Sequence, residues 1–112
     1  MSEEYEELRC PFGVFQLDEK YYDGKSLIFE NFKSRGVTLR HRTGRRAVRI
    51  EFPDFPYLLF WHFVGSEFMC IEPWNGLPDV EGTGYEIEKK VGIRAVPVGE
   101  TEITSHTITI FQ

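Results

Sequence analysis

Short apolar stretches recur along the chain, broken by polar, glycine-rich or proline-containing segments, and none sustains a helical 3.6-residue period. Strands are therefore expected almost throughout. The pattern predicts one over Phe12 to Leu17, then a polar connection over residues 18–25, then a short apolar piece from Ser26 to Phe29. Gly36 opens a hairpin. Val37 to Arg42 alternates, Thr43-Gly44 turns, and Arg45 to Phe52 alternates again. With that turn, Leu39 pairs Val48 and Val37 pairs Ile50 on one face, while Thr38 meets Arg49 and Arg40 meets Ala47 on the other. This register keeps the aliphatic side chains together.

Pro53 and Pro56 separate the hairpin from Tyr57 to Phe63, which is apolar on both faces and calls for cover on both sides. A turn at Val64 to Glu67 leads into Phe68 to Trp74. Residues 75–84, with Asn75, Gly76, Pro78, Gly82 and Gly84, read as a loop with little core signal. Tyr85 to Val91 is charged and ambiguous, and a last strand runs from Thr104 to Phe111. About seven strands and no convincing helix predict an all-β fold, an antiparallel β-sandwich.

The 112 residues make one domain, residues 12–112, with residues 1–11 as an N-terminal extension. Hydrophobic content of 41% and aromatic content of 15% supply a core and argue against disorder. A net charge of -5 argues against nucleic acid as a partner. The acidic start, Met1 to Glu7, is no signal peptide, and no apolar run reaches membrane-spanning length. A cytoplasmic protein with no membrane partner is expected. Cys10 and Cys70 make neither a disulfide framework nor a metal site, and Cys70 reads as a small core residue.

One carboxylate stands out. Glu72 is the sole side chain of Phe68 to Trp74 that is charged at neutral pH, and strand alternation puts Phe68, Cys70, Glu72 and Trp74 on one face. A carboxylate buried there needs a partner or a use. Desolvation would lift its pKa toward the range a general base requires. The plainer alternative turns Glu72 to water just before Pro73.

The other clusters have ordinary explanations. Arg40, Arg42, Arg45, Arg46 and Arg49 could form an anion patch or simply a solvated hairpin. His41, His62 and His106 lack metal-ligand spacing, and His62 suits a satisfied core position. Trp61, Trp74, Phe60 and Phe68 could stack on sugar rings or pack a core. Trp74 is the one to single out, because it follows Glu72 on one face and opens a glycine-containing loop. No G-x-S-x-G, P-loop or G-x-G-x-x-G is present.

The run Cys70-Ile71-Glu72-Pro73-Trp74-Asn75-Gly76-Leu77-Pro78-Asp79 resembles the C-terminal signature of the aldose 1-epimerase (galactose mutarotase) family. Ser26 to Asn31 with Lys33-Ser34-Arg35, and Phe52 to Leu58 leading to Trp61, are similar to that family's approach to the signature. Lys89 to Ile93 and Pro97 to Glu100 match its closing pattern loosely. The resemblance implies the C-terminal part of a β-supersandwich. It also implies interconversion of the anomers of a free sugar or sugar phosphate, without metal or organic cofactor.

On that resemblance Glu72 is the catalytic base, Trp74 a substrate contact, and Asp23 corresponds loosely to an aspartate that grips sugar hydroxyls. The family's general-acid histidine and its sugar-holding Arg and Asn belong to upstream sequence without a counterpart here. The expected partners are thus a small-molecule sugar and either a second copy in a homodimer or a missing N-terminal portion, the apolar strand Tyr57 to Phe63 being the surface to cover. A non-catalytic carbohydrate-binding module and a purely structural β-domain remain the alternatives.

Overall fold

The structure, a computed structural model, describes residues 11–18, 20 and 25–112. It is all-β, built from two three-stranded antiparallel sheets. The strands are β1 (Leu27–Phe29), β2 (Gly36–Arg40), β3 (Ala47–Glu51), β4 (Tyr57–Trp61), β5 (Cys70–Trp74) and β6 (Thr107–Phe111). The first sheet has the order β1-β4-β5 and the second β2-β3-β6.

The β2–β3 hairpin has the register its pattern demands. Val37 lies opposite Ile50, Leu39 opposite Val48, Thr38 opposite Arg49 and Arg40 opposite Ala47. Regular pairing ends at Arg40 and Ala47, and a further hydrogen bond from His41 N to Arg46 O at 3.1 Å carries it to the turn. The hairpin holds together because only this register puts all four aliphatic side chains on one face.

That face packs on the first sheet. Ile50, Phe52, Leu58 and Phe60 are the buried centre, and Leu27, Phe29, Val37, Val48 and Ile71 close around it. Phe52 is fully buried. The rings of Phe29 and Phe60 meet edge to face at 5.3 Å, and Phe15 packs on both. Aromatic pairs of this kind add about 0.5–1.5 kcal/mol to their area burial.

Arg35 fastens the two sheets together. Its guanidinium donates to the carbonyls of Phe55 (2.6 Å) and Phe32, and lies 4.6 Å from the centre of the Phe32 ring. The backbone of Phe52 donates to Arg35 O at 2.9 Å. Asn31 takes the left-handed conformation, φ 57°, where the chain turns from β1 toward this clamp. Asn tolerates that region better than most residues.

Several expectations need correction. Phe12 to Leu17 is no strand. Pro11–Gly13 is a one-turn 3-10 segment, and residues 14–18 have no regular structure. Phe15 and Leu17 nevertheless pack against the core, so the apolar pattern there records burial without pairing. The fourth strand stops at Trp61, the fifth begins at Cys70, and the last begins at Thr107. The charged segment before Val91 holds a single helical turn, Ile87–Lys89. Among the described residues no helix is long and apolar enough to cross a membrane.

Candidate functional site

Glu72 and Trp74 lie on β5, at the edge of the first sheet. In the β4–β5 ladder Tyr57 faces Trp74, Leu59 faces Glu72 and Trp61 faces Cys70. Opposed residues share a face, so these six side chains lie on the side of the sheet away from Leu58, Phe60 and Ile71 of the core, and Leu59 among them is buried. The expected alignment of Cys70, Glu72 and Trp74 holds. Phe68 lies before the strand begins and is exposed.

Glu72 is half-buried, as is every residue of β5. The burial expected from its apolar neighbours is only partial because β5 is an edge strand. The Trp74 indole N–H donates to Glu72 Oε2 at 3.1 Å. A two-residue step along one face brings the two side chains together, and the hydrogen bond fixes the carboxylate's orientation. The second oxygen, Oε1, has no hydrogen-bond partner among the described residues.

The segment after Trp74 is more ordered than its composition suggests. Leu77 is buried, and its N–H donates to Val91 O at 3.0 Å. Lys90 pairs with Asp79 at 3.3 Å, and Arg94 donates to the Asn75 side chain at 3.3 Å while also pairing with Glu102. Residues 89–94 therefore fold back beside residues 75–79 and brace the end of β5. Gly92, with φ 74°, fits between Asn75 O and the Tyr57 ring. Sequence reading missed this brace because its partners lie on two irregular segments with no shared period. The Leu within 75–84 was the one available signal.

The other candidates separate. Phe60 belongs to the core, away from Glu72. Trp61 packs with Phe63 (4.7 Å between ring centres) and Phe68 (5.8 Å), giving an aromatic cluster at the far end of the Glu72 surface. His62 is buried. His106 packs edge to face on Phe55, and the His41 ring accepts the Thr43 N–H at 3.3 Å. Asp23 lies outside the described residues. Among the described residues, two clefts of about 300 Å³ lie elsewhere. One is bounded by Arg35, Asp54, Phe55, Arg94 and Ile103, the other by Pro78, Asp79, Thr83, Glu86 and Lys90. Neither of these two clefts is lined by Glu72 or Trp74.

The chain is 35% identical over 107 residues to the proteins named LacX, plasmid, and LacX, chromosomal, of Lactococcus lactis subsp. lactis. Each match covers 91% of this chain and 36% of the relative. The chain thus spans about a third of the length of these curated relatives. No family model matches it. No solved structure matches it.

Proposed function

We propose that this chain carries the base-bearing portion of an aldose 1-epimerase-like sugar site. Glu72 would be the general base and Trp74 the group that orients it. The observation that carries the reading is the Trp74 to Glu72 hydrogen bond on a half-buried, otherwise apolar face. It leaves one carboxylate oxygen without a hydrogen-bond partner among the described residues. The similarity to the LacX proteins supports it, as does the resemblance of Cys70 to Asp79 to the epimerase signature.

In the proposed reaction Glu72 takes the proton of the anomeric hydroxyl. The electron pair left on that oxygen forms the aldehyde C=O as the bond from C1 to the ring oxygen breaks. The ring oxygen receives a proton from a general acid. Rotation about C1–C2 and reversal of the steps deliver the other anomer. Each positioned acid or base contributes roughly 10²–10⁴-fold. No second titratable side chain hydrogen-bonds Glu72 among the described residues, so the acid is assigned to a group outside this surface.

That same observation favours a second reading, a carbohydrate-binding surface without catalysis. Binding needs only Trp74 and the carboxylate as acceptor. Two measurements separate the readings. Titration with glucose or galactose, followed by the Trp74 indole N–H resonance, should shift that signal, and Glu72→Gln should weaken the response. Polarimetry of freshly dissolved sugar should show little acceleration by this chain alone. An indole signal indifferent to sugar at about 100 mM would remove both readings. A strong rate abolished by Glu72→Gln would keep the epimerase site and refute the assignment of the acid elsewhere.

A further inference from the structure

The β2–β3 hairpin carries a charge opposite to that of the rest of the chain. Residues 36–51 hold five arginines and one acid, Glu51, a net +4 in a chain of net charge -5. The other residues together therefore carry -9. All five lysines of the chain lie outside the hairpin, so its cations are arginines alone. Arg49 is used within the fold, pairing with Glu51 at 3.4 Å and donating to the Thr38 hydroxyl. Arg40, Arg42, Arg45 and Arg46 differ. All four are exposed, and among the described residues none of their guanidinium groups forms an ion pair or a hydrogen bond. They fall within residues 40–46, a stretch without an acid. Like charges held this close repel one another, and the hairpin tip supplies nothing to offset them.

The turn that displays these arginines is held in place. The ladder runs as far as Arg40 opposite Ala47, and His41 N then donates to Arg46 O at 3.1 Å. The His41 ring accepts the Thr43 N–H at 3.3 Å. It also lies against Gly44, where a β-carbon would come within 3.1 Å of His41 Nδ1. The four arginines thus extend from a turn fixed at both ends and across its middle. A fixed backbone lowers the ordering cost that a ligand must overcome.

We propose that this tip is a docking site for a short acidic segment of a partner protein. A guanidinium presents a planar fork that a carboxylate meets with two parallel hydrogen bonds, whereas a lysine offers a point charge. The exclusive use of arginine at the tip fits recognition by that fork. Phosphate suits the fork as well, but two observations turn the choice away from nucleic acid. Residues 40–46 include no Phe, Tyr or Trp on which a base could stack. A nucleic-acid strand also runs on past the tip, toward residues that together carry -9. A short acidic segment ends where the arginines end and meets their field alone. This inference is independent of the sugar-site reading, because the hairpin belongs to the second sheet and Glu72 to the first.

Fluorescence anisotropy of a labelled oligoglutamate peptide, titrated with the full chain, tests the proposal. Binding at low salt should be saturable. Raising the ionic strength from about 0.01 to about 0.1 M shortens the Debye length from about 30 to about 10 Å and should weaken it several-fold. The quadruple variant Arg40→Gln, Arg42→Gln, Arg45→Gln and Arg46→Gln should lose roughly tenfold or more in affinity, since four exposed pairs vanish together. Its circular dichroism should be unchanged, because all four positions are exposed. Arg→Lys at the same four positions keeps the charge and should still lose several-fold. An oligothymidylate of equal length should bind more weakly than the peptide. Glu3→Gln, Glu4→Gln, Glu6→Gln and Glu7→Gln together remove the acids of the chain's own start and should change the affinity little. Absence of saturable binding, or full affinity in either arginine variant, would overturn the proposal. So would tighter binding of the oligothymidylate, which makes nucleic acid the occupant. A gain of roughly tenfold on removing the four glutamates would do the same by making the chain's own start the occupant.

Discussion

The Tyr57 ring and Asn75 O close around Gly92 so tightly that a β-carbon on the glycine would lie 2.7 Å from the ring and 2.5 Å from the carbonyl. The glycine also holds φ 74°, a region that other residues enter at a cost. Gly92→Ala combines left-handed strain with a backbone clash, each of order 1–3 kcal/mol. Urea denaturation should show a loss of about 2 kcal/mol or more. The brace on β5 should loosen with it, seen as faster amide exchange at Leu77. A loss below about 0.5 kcal/mol would mean that the 89–94 segment can move away without consequence.

Arg35 gives a second test. Its planar guanidinium reaches two carbonyls, Phe32 O and Phe55 O, and stacks near the Phe32 ring at once. A lysine has the charge but not the fork. Arg35→Lys should therefore cost nearly as much as Arg35→Ala, about 2 kcal/mol for two charge-assisted bonds in a partly buried setting. Rescue by lysine in thermal melts would show that charge, not geometry, carries the clamp.

Legibility from sequence followed the reach of each pattern. The β2–β3 register was readable because alternation and the Thr43-Gly44 turn constrain it together. The face shared by Cys70, Glu72 and Trp74 was readable for the same reason. Phe15 and Leu17 misled because their burial comes from packing on Phe29 and Phe60 without strand pairing. The depth of Glu72 was not legible, since it depends on whether β5 has a neighbour on each side. Ile108 and Ile110 show the converse. Their alternation predicts a buried face, but burial needs an opposing layer that no local pattern supplies.

Glu72 and Trp74 separate stability from chemistry. In Glu72→Gln a carboxamide oxygen can still accept the Trp74 N–H, so the melting temperature should move little. Glu72→Ala leaves a half-buried indole N–H without its acceptor and should cost about 1 kcal/mol. Trp74→Phe should be similarly mild, while freeing the carboxylate to rotate. Thermal melts and the indole proton shift check this series. A Glu72→Gln variant much less stable than Glu72→Ala would mean that the hydrogen bond is not what holds the pair.

Phe52 is fully buried, and its ring meets Phe32 at 6.0 Å between centres. Truncating a buried Phe to Ala costs about 3–5 kcal/mol. Native stabilities are only about 5–15 kcal/mol. Phe52→Ala should abolish the cooperative urea transition or shift it far to lower concentration. Phe52→Leu, which keeps most of the volume, should retain a measurable transition.

Asp54 ties the turn after β3 to the entry of β6. Its Oδ2 accepts the Ser105 N–H at 2.8 Å and the Ser105 hydroxyl at 3.1 Å. The tie closes a long loop onto the strand whose inner face is bare. Exposure limits its contribution to about 1 kcal/mol, so Asp54→Ala should leave the fold intact in circular dichroism. Its effect should instead concentrate on β6, which has one strand neighbour among the described residues and little cover to hold it. Amide exchange at residues 107–111 should quicken several-fold, with β4 and β5 unaffected. Asp54→Asn, which keeps an oxygen acceptor, should recover most of the protection. Uniform quickening across all strands would mean that Asp54 stabilises the fold as a whole and that β6 has no separate hold.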